Sequence, residues 1–113
     1  MKATSKIQKG KRLENKIASL WRQKTGDMSV RTPGSGNGSK FKEDVYTRYF
    51  SIEAKNQEKI NFWKWWDQAR SERSFGKPPV LAISGNYRPI LVCMDIEDWL
   101  DLVKIAYYEK EEQ

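Results

Sequence analysis

The sequence predicts an α/β domain, a mixed β-sheet flanked by helices in the order α-β-β-β-α-β-β-α. Three observations carry that expectation. Tyr49 to Lys55 alternates as a strand does, a helical pattern follows, and Val80 to Ser84 is a short apolar run. A strand, a helix and a strand in succession imply a right-handed crossover between parallel neighbours. The strand candidates before this unit are joined as hairpins, so the sheet also has antiparallel pairs. The chain has 113 residues, 38% of them hydrophobic and five of them Trp. That is enough for one folded domain and short for two.

In chain order, residues 1–8 are polar and basic with little to bury, and are expected as a frayed arm. A helix is expected from about Lys9 to Thr25, stopped by Gly26, with Leu13, Ile17, Leu20 and Trp21 as its apolar stripe. Ser29 to Thr32 is a short strand candidate. Pro33 to Ser39 is a glycine-rich loop that matches neither the phosphate-loop nor the dinucleotide pattern. It is either a linker or a backbone able to approach a nucleic-acid phosphate closely.

Asp44 precedes a strand that turns near Thr47-Arg48 into the strand ending at Lys55. Asn61 is expected to cap a helix of about Asn61 to Phe75, stopped by Gly76 and Pro78-Pro79. Phe62 and Trp66 are assigned to the core, with one of Trp63 and Trp65 left over for a subunit interface or base stacking. Val80 to Ser84 and Pro89 to Met94 read as two buried strands. Asp95 caps a last helix whose inner face is Ile96, Trp99, Leu100, Val103 and Tyr107. Residues 9–108 form the domain and 109–113 an acidic tail. The single Cys93 reads as a small core residue.

Charge and absences narrow the function. Lys and Arg total 21 against 15 acids, a net charge of +6. Residues 1–48 carry 12 basic and 4 acidic residues, whereas residues 49–113 carry 9 and 11. A basic N-terminal half points to a polyanion, nucleic acid first. The chain has no histidine and one cysteine, which excludes histidine-based triads, His-ligated zinc and four-cysteine zinc. A metal would be held by carboxylate and backbone oxygen, which favours Mg2+ or Mn2+. With no apolar run near 18 residues and no signal-peptide pattern, no membrane partner is expected and the protein is expected in the cytoplasm.

The alternation puts Phe50, Ile52 and Ala54 on one face and Ser51, Glu53 and Lys55 on the other. A hairpin turn lets Asp44 converge on Glu53. Two carboxylates and an ammonium at one point suit a hard divalent cation and phosphodiester hydrolysis. A half-buried strand with a polar face would leave the same triplet. If the strand register slips by one, Glu43 replaces Asp44. Glu14, at the margin of the first helix's stripe, is either held by a partner, because burying it unpaired is expensive, or a rim glutamate paired with Lys11 or solvent.

The order of these features resembles the PD-(D/E)XK nuclease superfamily, and within it the small archaeal-type Holliday-junction resolvases and resolvase-like proteins of bacteriophages. The likeness rests on Lys9-Gly-Lys-Arg-Leu-Glu14, Arg31-Thr-Pro-Gly-Ser35 and Ser51-Ile-Glu-Ala-Lys55, and spans roughly residues 9–103. It implies a restriction-endonuclease-like fold and a metal-dependent DNA endonuclease. It also implies four-way junctions as the preferred substrate, a homodimer, and a phage-encoded protein acting in the host cytoplasm. Carried over, Asp44, Glu53 and the carbonyl of Ala54 would hold Mg2+ or Mn2+. Lys55 would position the attacking water, and Glu14 would assist through a water or a second metal. Gln68 would match a helix glutamine of some members. Lys9, Lys11, Arg12, Arg31, Ser35, Ser39, Lys40 and Lys42 would contact DNA. The other readings are a non-catalytic DNA-binding protein of the same fold, or a nuclease acting on ordinary duplex or ends.

Overall fold

A computed structural model describes the backbone of residues 2–32 and 42–109, with side chains from residue 7 onward. The elements are α1 (Lys2–Thr25), β1 (Ser29–Arg31), β2 (Val45–Thr47), β3 (Ser51–Asn56), α2 (Phe62–Ser71), β4 (Pro79–Ser84), β5 (Leu91–Met94) and α3 (Ile96–Val103), which runs on as a π-helical turn over Lys104–Tyr108. This is the expected α/β order. The five strands form one sheet in the order β1-β2-β3-β4-β5. β3 and β4 are parallel and every other pair is antiparallel, so the sheet is mixed, as a β3-α2-β4 crossover requires.

The two faces of β3 are covered differently. Ile52 and Ala54, with Val80 and Ala82 of β4, pack against Leu13, Ile17 and Ala18 of α1. The alternate positions Ser51, Glu53 and Leu81 are also buried, on the side where Trp65 and Ala69 are the buried residues of α2. Trp21 meets Phe50 edge-on at 5.9 Å at the rim of the α1 cluster. On the other side, Lys77 Nζ donates to the carbonyl of Thr47 at 2.6 Å and lies 4.1 Å from the centre of the Tyr46 ring. The loop before β4 is thereby pinned to the β2–β3 hairpin.

The structure corrects several expectations. α1 starts at Lys2 rather than near Lys9, so the segment read as an arm continues the helix. Ala, Lys and Gln there are good helix formers, and one glycine, Gly10, costs about 1 kcal/mol without breaking so long a helix. α2 ends at Ser71, short of Phe75, and Asn61 makes no side-chain cap bond. The core tryptophan of α2 is Trp65, 5% exposed, while Phe62 and Trp66 are half-buried and Trp63 is the exposed one. Successive helical residues lie about 100° apart, so a dense aromatic run leaves the buried direction open to a one-residue error. β5 is not buried, since Leu91 and Val92 are exposed. Nor does α3 bury an inner face, because none of Ile96–Val103 is buried. Among the described residues no helix is long and apolar enough to cross a membrane.

Candidate active site

The site begins with the register of the β2–β3 hairpin. Val45 lies opposite Ile52 and Tyr46 opposite Ser51. Continued one step outward, that pairing sets Asp44 against Glu53, and directly opposed residues send their side chains to one face. Three hydrogen bonds fix Asp44. Its N–H donates to the carbonyl of Ile52 at 2.9 Å, its own carbonyl accepts from the N–H of Thr32 at 2.9 Å, and its Oδ2 accepts from the N–H of Ala54 at 2.9 Å. Thr32 is thereby held against Asp44.

Glu53 is 2% exposed, and its Oε2 has no hydrogen-bond donor among the described residues. Burial, then the charge of Asp44, push its carboxyl up to about 10. The Asp44 carboxylate shares a hydrogen bond with the protonated form, Glu72 adds a smaller push, and Lys55 opposes the rise. Lys55 Nζ stands 3.9 Å from Glu53 Oε1 with its side chain 18% exposed. On α1, Glu14 is half-buried and lifted to about 7 by burial and then by Asp44, while Arg31, Lys11 and Lys55 pull it down. Glu14, Asp44, Glu53 and Lys55 thus come from three elements into one electrostatic neighbourhood.

Arg31, at the end of β1, and Lys11, on the exposed side of α1, are close enough to Glu14 to act on it. Arg12 is exposed on α1, Lys9 donates to Asn86 Oδ1 at 3.1 Å, and Lys42 is exposed immediately before Glu43. Ser35, Ser39 and Lys40 lie outside the described residues. Gln68 is half-buried on α2 and donates through Nε2 to Glu72 Oε2 at 3.3 Å. Glu43 is 1% exposed and accepts a hydrogen bond from the hydroxyl of Ser74, just beyond α2. The backbone N–H of Ser74 donates to Ser51 Oγ at 3.3 Å. The sequence reading missed this Glu43–Ser74–Ser51 cluster, and it missed Glu72. The spacing of Gln68 and Glu72, one helical turn apart, was the available signal for the latter.

The donor set is all oxygen. Among the described residues no three His, Cys, Asp or Glu side chains gather closely enough to hold a metal alone. The hairpin register sets two carboxylates, Asp44 and Glu53, side by side.

No curated protein and no solved structure matches the chain. One family model does, described as "Phage putative PDDEXK endonuclease", and it covers residues 5–111. A match over nearly the whole length, on a chain whose mixed sheet carries Asp44 against Glu53 and Lys55, shows that the protein belongs to the phage PDDEXK endonuclease family.

Proposed function

We propose that the protein is a divalent-metal-dependent DNA endonuclease that hydrolyses phosphodiester bonds, selects four-way junctions and works as a homodimer. The observation that carries the catalytic part is the convergence of Asp44, Glu53 and Lys55 on one end of the β2–β3 hairpin, with Glu14 facing them from α1. The residues present fit a hard cation. Two adjacent carboxylates repel one another, and Glu53 Oε2 is buried with a lone pair unused. Asp44, Glu53 and the carbonyl of Ala54 would hold Mg2+ or Mn2+. When bound, that ion supplies Lewis acidity toward the phosphate and makes water easier to deprotonate.

The chain's own groups do the rest. The three hydrogen bonds on Asp44 hold its carboxylate in place before substrate arrives. Lys55, tethered by Glu53, places an ammonium where it can orient the attacking water or meet a phosphate oxygen. Glu14 offers a second hydrogen-bonding carboxyl to that water. Lys11, Arg12, Arg31 and Lys42, with Lys9, Ser35, Ser39 and Lys40 along the same stretches of sequence, supply phosphate contacts around the site.

The test is cleavage of a four-way junction beside matched duplex, with magnesium, manganese or chelator. Cutting of the junction that needs the cation supports the reading. Equal cutting of both substrates keeps the nuclease and removes the junction preference. Tight junction binding with no cutting under either cation overturns the enzyme in favour of a DNA-binding protein of the same fold.

A further inference from the structure

The turn between β4 and β5 places an aromatic ring at the backbone position least suited to one. Gly85-Asn86-Tyr87-Arg88 is closed by a bond from the Arg88 N–H to the Gly85 carbonyl at 3.2 Å. Among the described residues Tyr87, at φ 58°, alone combines a side chain with a positive φ. A four-residue turn with positive φ at its third residue follows the type II pattern, in which glycine or asparagine is preferred there. A β-carbon at that position crowds the backbone. The turn holds one glycine and one asparagine, and neither occupies it. Asn86, one residue earlier, has another task. Its N–H donates to Glu58 Oε1 at 2.7 Å and its Oδ1 accepts from Lys9 Nζ at 3.1 Å. The tip is thereby tied to the loop after β3 and to α1. Tyr87 itself is 107% exposed, so no packing in the fold offsets its backbone strain. A lone exposed aromatic on a relaxed backbone would need no explanation.

The ring stands at the catalytic end of the sheet. Lys55 pairs with Ile83 and Asn56 with Ser84, so the turn rises just beyond Lys55. The offset of two residues is ~7 Å at the usual strand rise, and a nucleic-acid strand advances ~3.4 Å per nucleotide. Tyr87 is therefore a few base steps from the hairpin carboxylates. Lys9, which holds the turn, precedes Glu14 on α1. Lys9 and Arg88 flank the apolar ring with positive charge, the surroundings that suit a base between phosphates.

We propose that Tyr87 stacks on a nucleobase left open at the branch point of a DNA junction. This rests on the endonuclease reading above and names a residue that selects its substrate. In matched duplex the neighbouring pairs cover both faces of every base. At a branch point the stack is interrupted and a base face is free for the ring.

The test measures binding by the full chain in chelator, where nothing is cut, to a four-way junction and to matched duplex at several salt concentrations. Tyr87→Gly relieves the positive φ and is expected to melt no lower than the wild type. It should bind the junction about tenfold more weakly, the scale of one base–aromatic stack, with an unchanged salt slope and unchanged duplex affinity. Tyr87→Phe keeps the ring and should restore junction binding. Phe75, 104% exposed before β4 at the opposite end of the sheet, is the control, and Phe75→Gly should bind as the wild type does. A Tyr87→Gly variant that melts well below the wild type shows a structural role and overturns the proposal. So does one that keeps its junction affinity, loses duplex affinity equally, or lowers the salt slope by about one as a lost phosphate contact would. A Tyr87→Phe variant as weak as Tyr87→Gly, or an equal loss in Phe75→Gly, overturns it too. A wild type that binds junction and duplex alike removes the junction preference itself. A wild type that prefers the junction, beside a glycine variant that prefers it equally, overturns this inference and leaves that preference standing.

Discussion

Replacing Glu53 by Gln should make the metal-free protein more stable while removing its response to cations. Glu53 is 2% exposed and its carboxyl is pushed up to about 10, first by burial and then by Asp44. In the unfolded chain it titrates near 4.5. Between those values the folded chain holds a proton that the unfolded chain has lost. The charged form is the one the fold disfavours, so the stabilising balance is best below pH 4.5 and is lost as pH rises toward 10. The slope approaches ~1.4 kcal/mol per pH unit, about 2.7 kcal/mol between pH 6 and pH 8 as an upper bound. Relaxation around the site would leave ~1–2 kcal/mol, or roughly 5–10 °C in melting temperature for a domain of this size.

Gln keeps the volume, cannot ionise, and gives Asp44 an N–H donor. Thermal melts in chelator at pH 6, 7 and 8 should show the wild type losing stability and Glu53→Gln losing far less. At pH 8 the variant should melt higher. Adding Mg2+ should raise the wild type, by about 1.4 kcal/mol at tenfold over the dissociation constant, and leave the variant unmoved. A variant that melts below the wild type at pH 8, or that keeps the wild-type slope, refutes the reasoning.

Four further outcomes are expected. Asp44→Ala and Lys55→Ala should each abolish junction cutting while largely preserving junction binding in a gel-shift assay, with Glu43→Ala much milder in activity, because Glu43 faces Ser74 rather than Glu53. Glu14→Gln should remove the part of the pH-dependent loss of stability that falls between about 4.5 and 7, the interval over which this raised carboxyl carries its extra folded-state proton, as read from melts across that range. Lys42→Ala should weaken DNA binding alike for all sequences and lower the salt slope by about one, measured by titration at several salt concentrations. Trp65→Ala should cost ~3–5 kcal/mol in chemical denaturation, and Trp63→Ala within about 0.5 kcal/mol, since the first is 5% and the second 71% exposed.

Where local periodicity decides the outcome, the residues were legible. Alternation from Phe50 to Lys55 put Glu53 and Lys55 together, and the turn after Thr47 brought Asp44 opposite. What was not legible depends on which surface covers which. The stripe on α3 and the apolar run of β5 say that these residues seek burial, and nothing local says against what. Trp65 and Trp66 differ by one helical step, and only the placement of β3 and β4 under α2 chooses between them. From the sequence Glu43 is only a stand-in for Asp44 in a slipped register, and its actual partner, Ser74, is 31 residues away, beyond the reach of any local pattern.

The bond from the Ala54 amide to Asp44 Oδ2 gives the site a built-in signal. An amide proton held by a carboxylate resonates far downfield of one held by water, and exchanges with solvent only when the carboxylate lets go. In a ¹⁵N-labelled sample the Ala54 cross-peak therefore reports Asp44 without any label in the site. Titrating Mg2+ or Ca2+ and following that one peak would rank these cations by their pull on the carboxylate, in a protein that need not be active and with no DNA present.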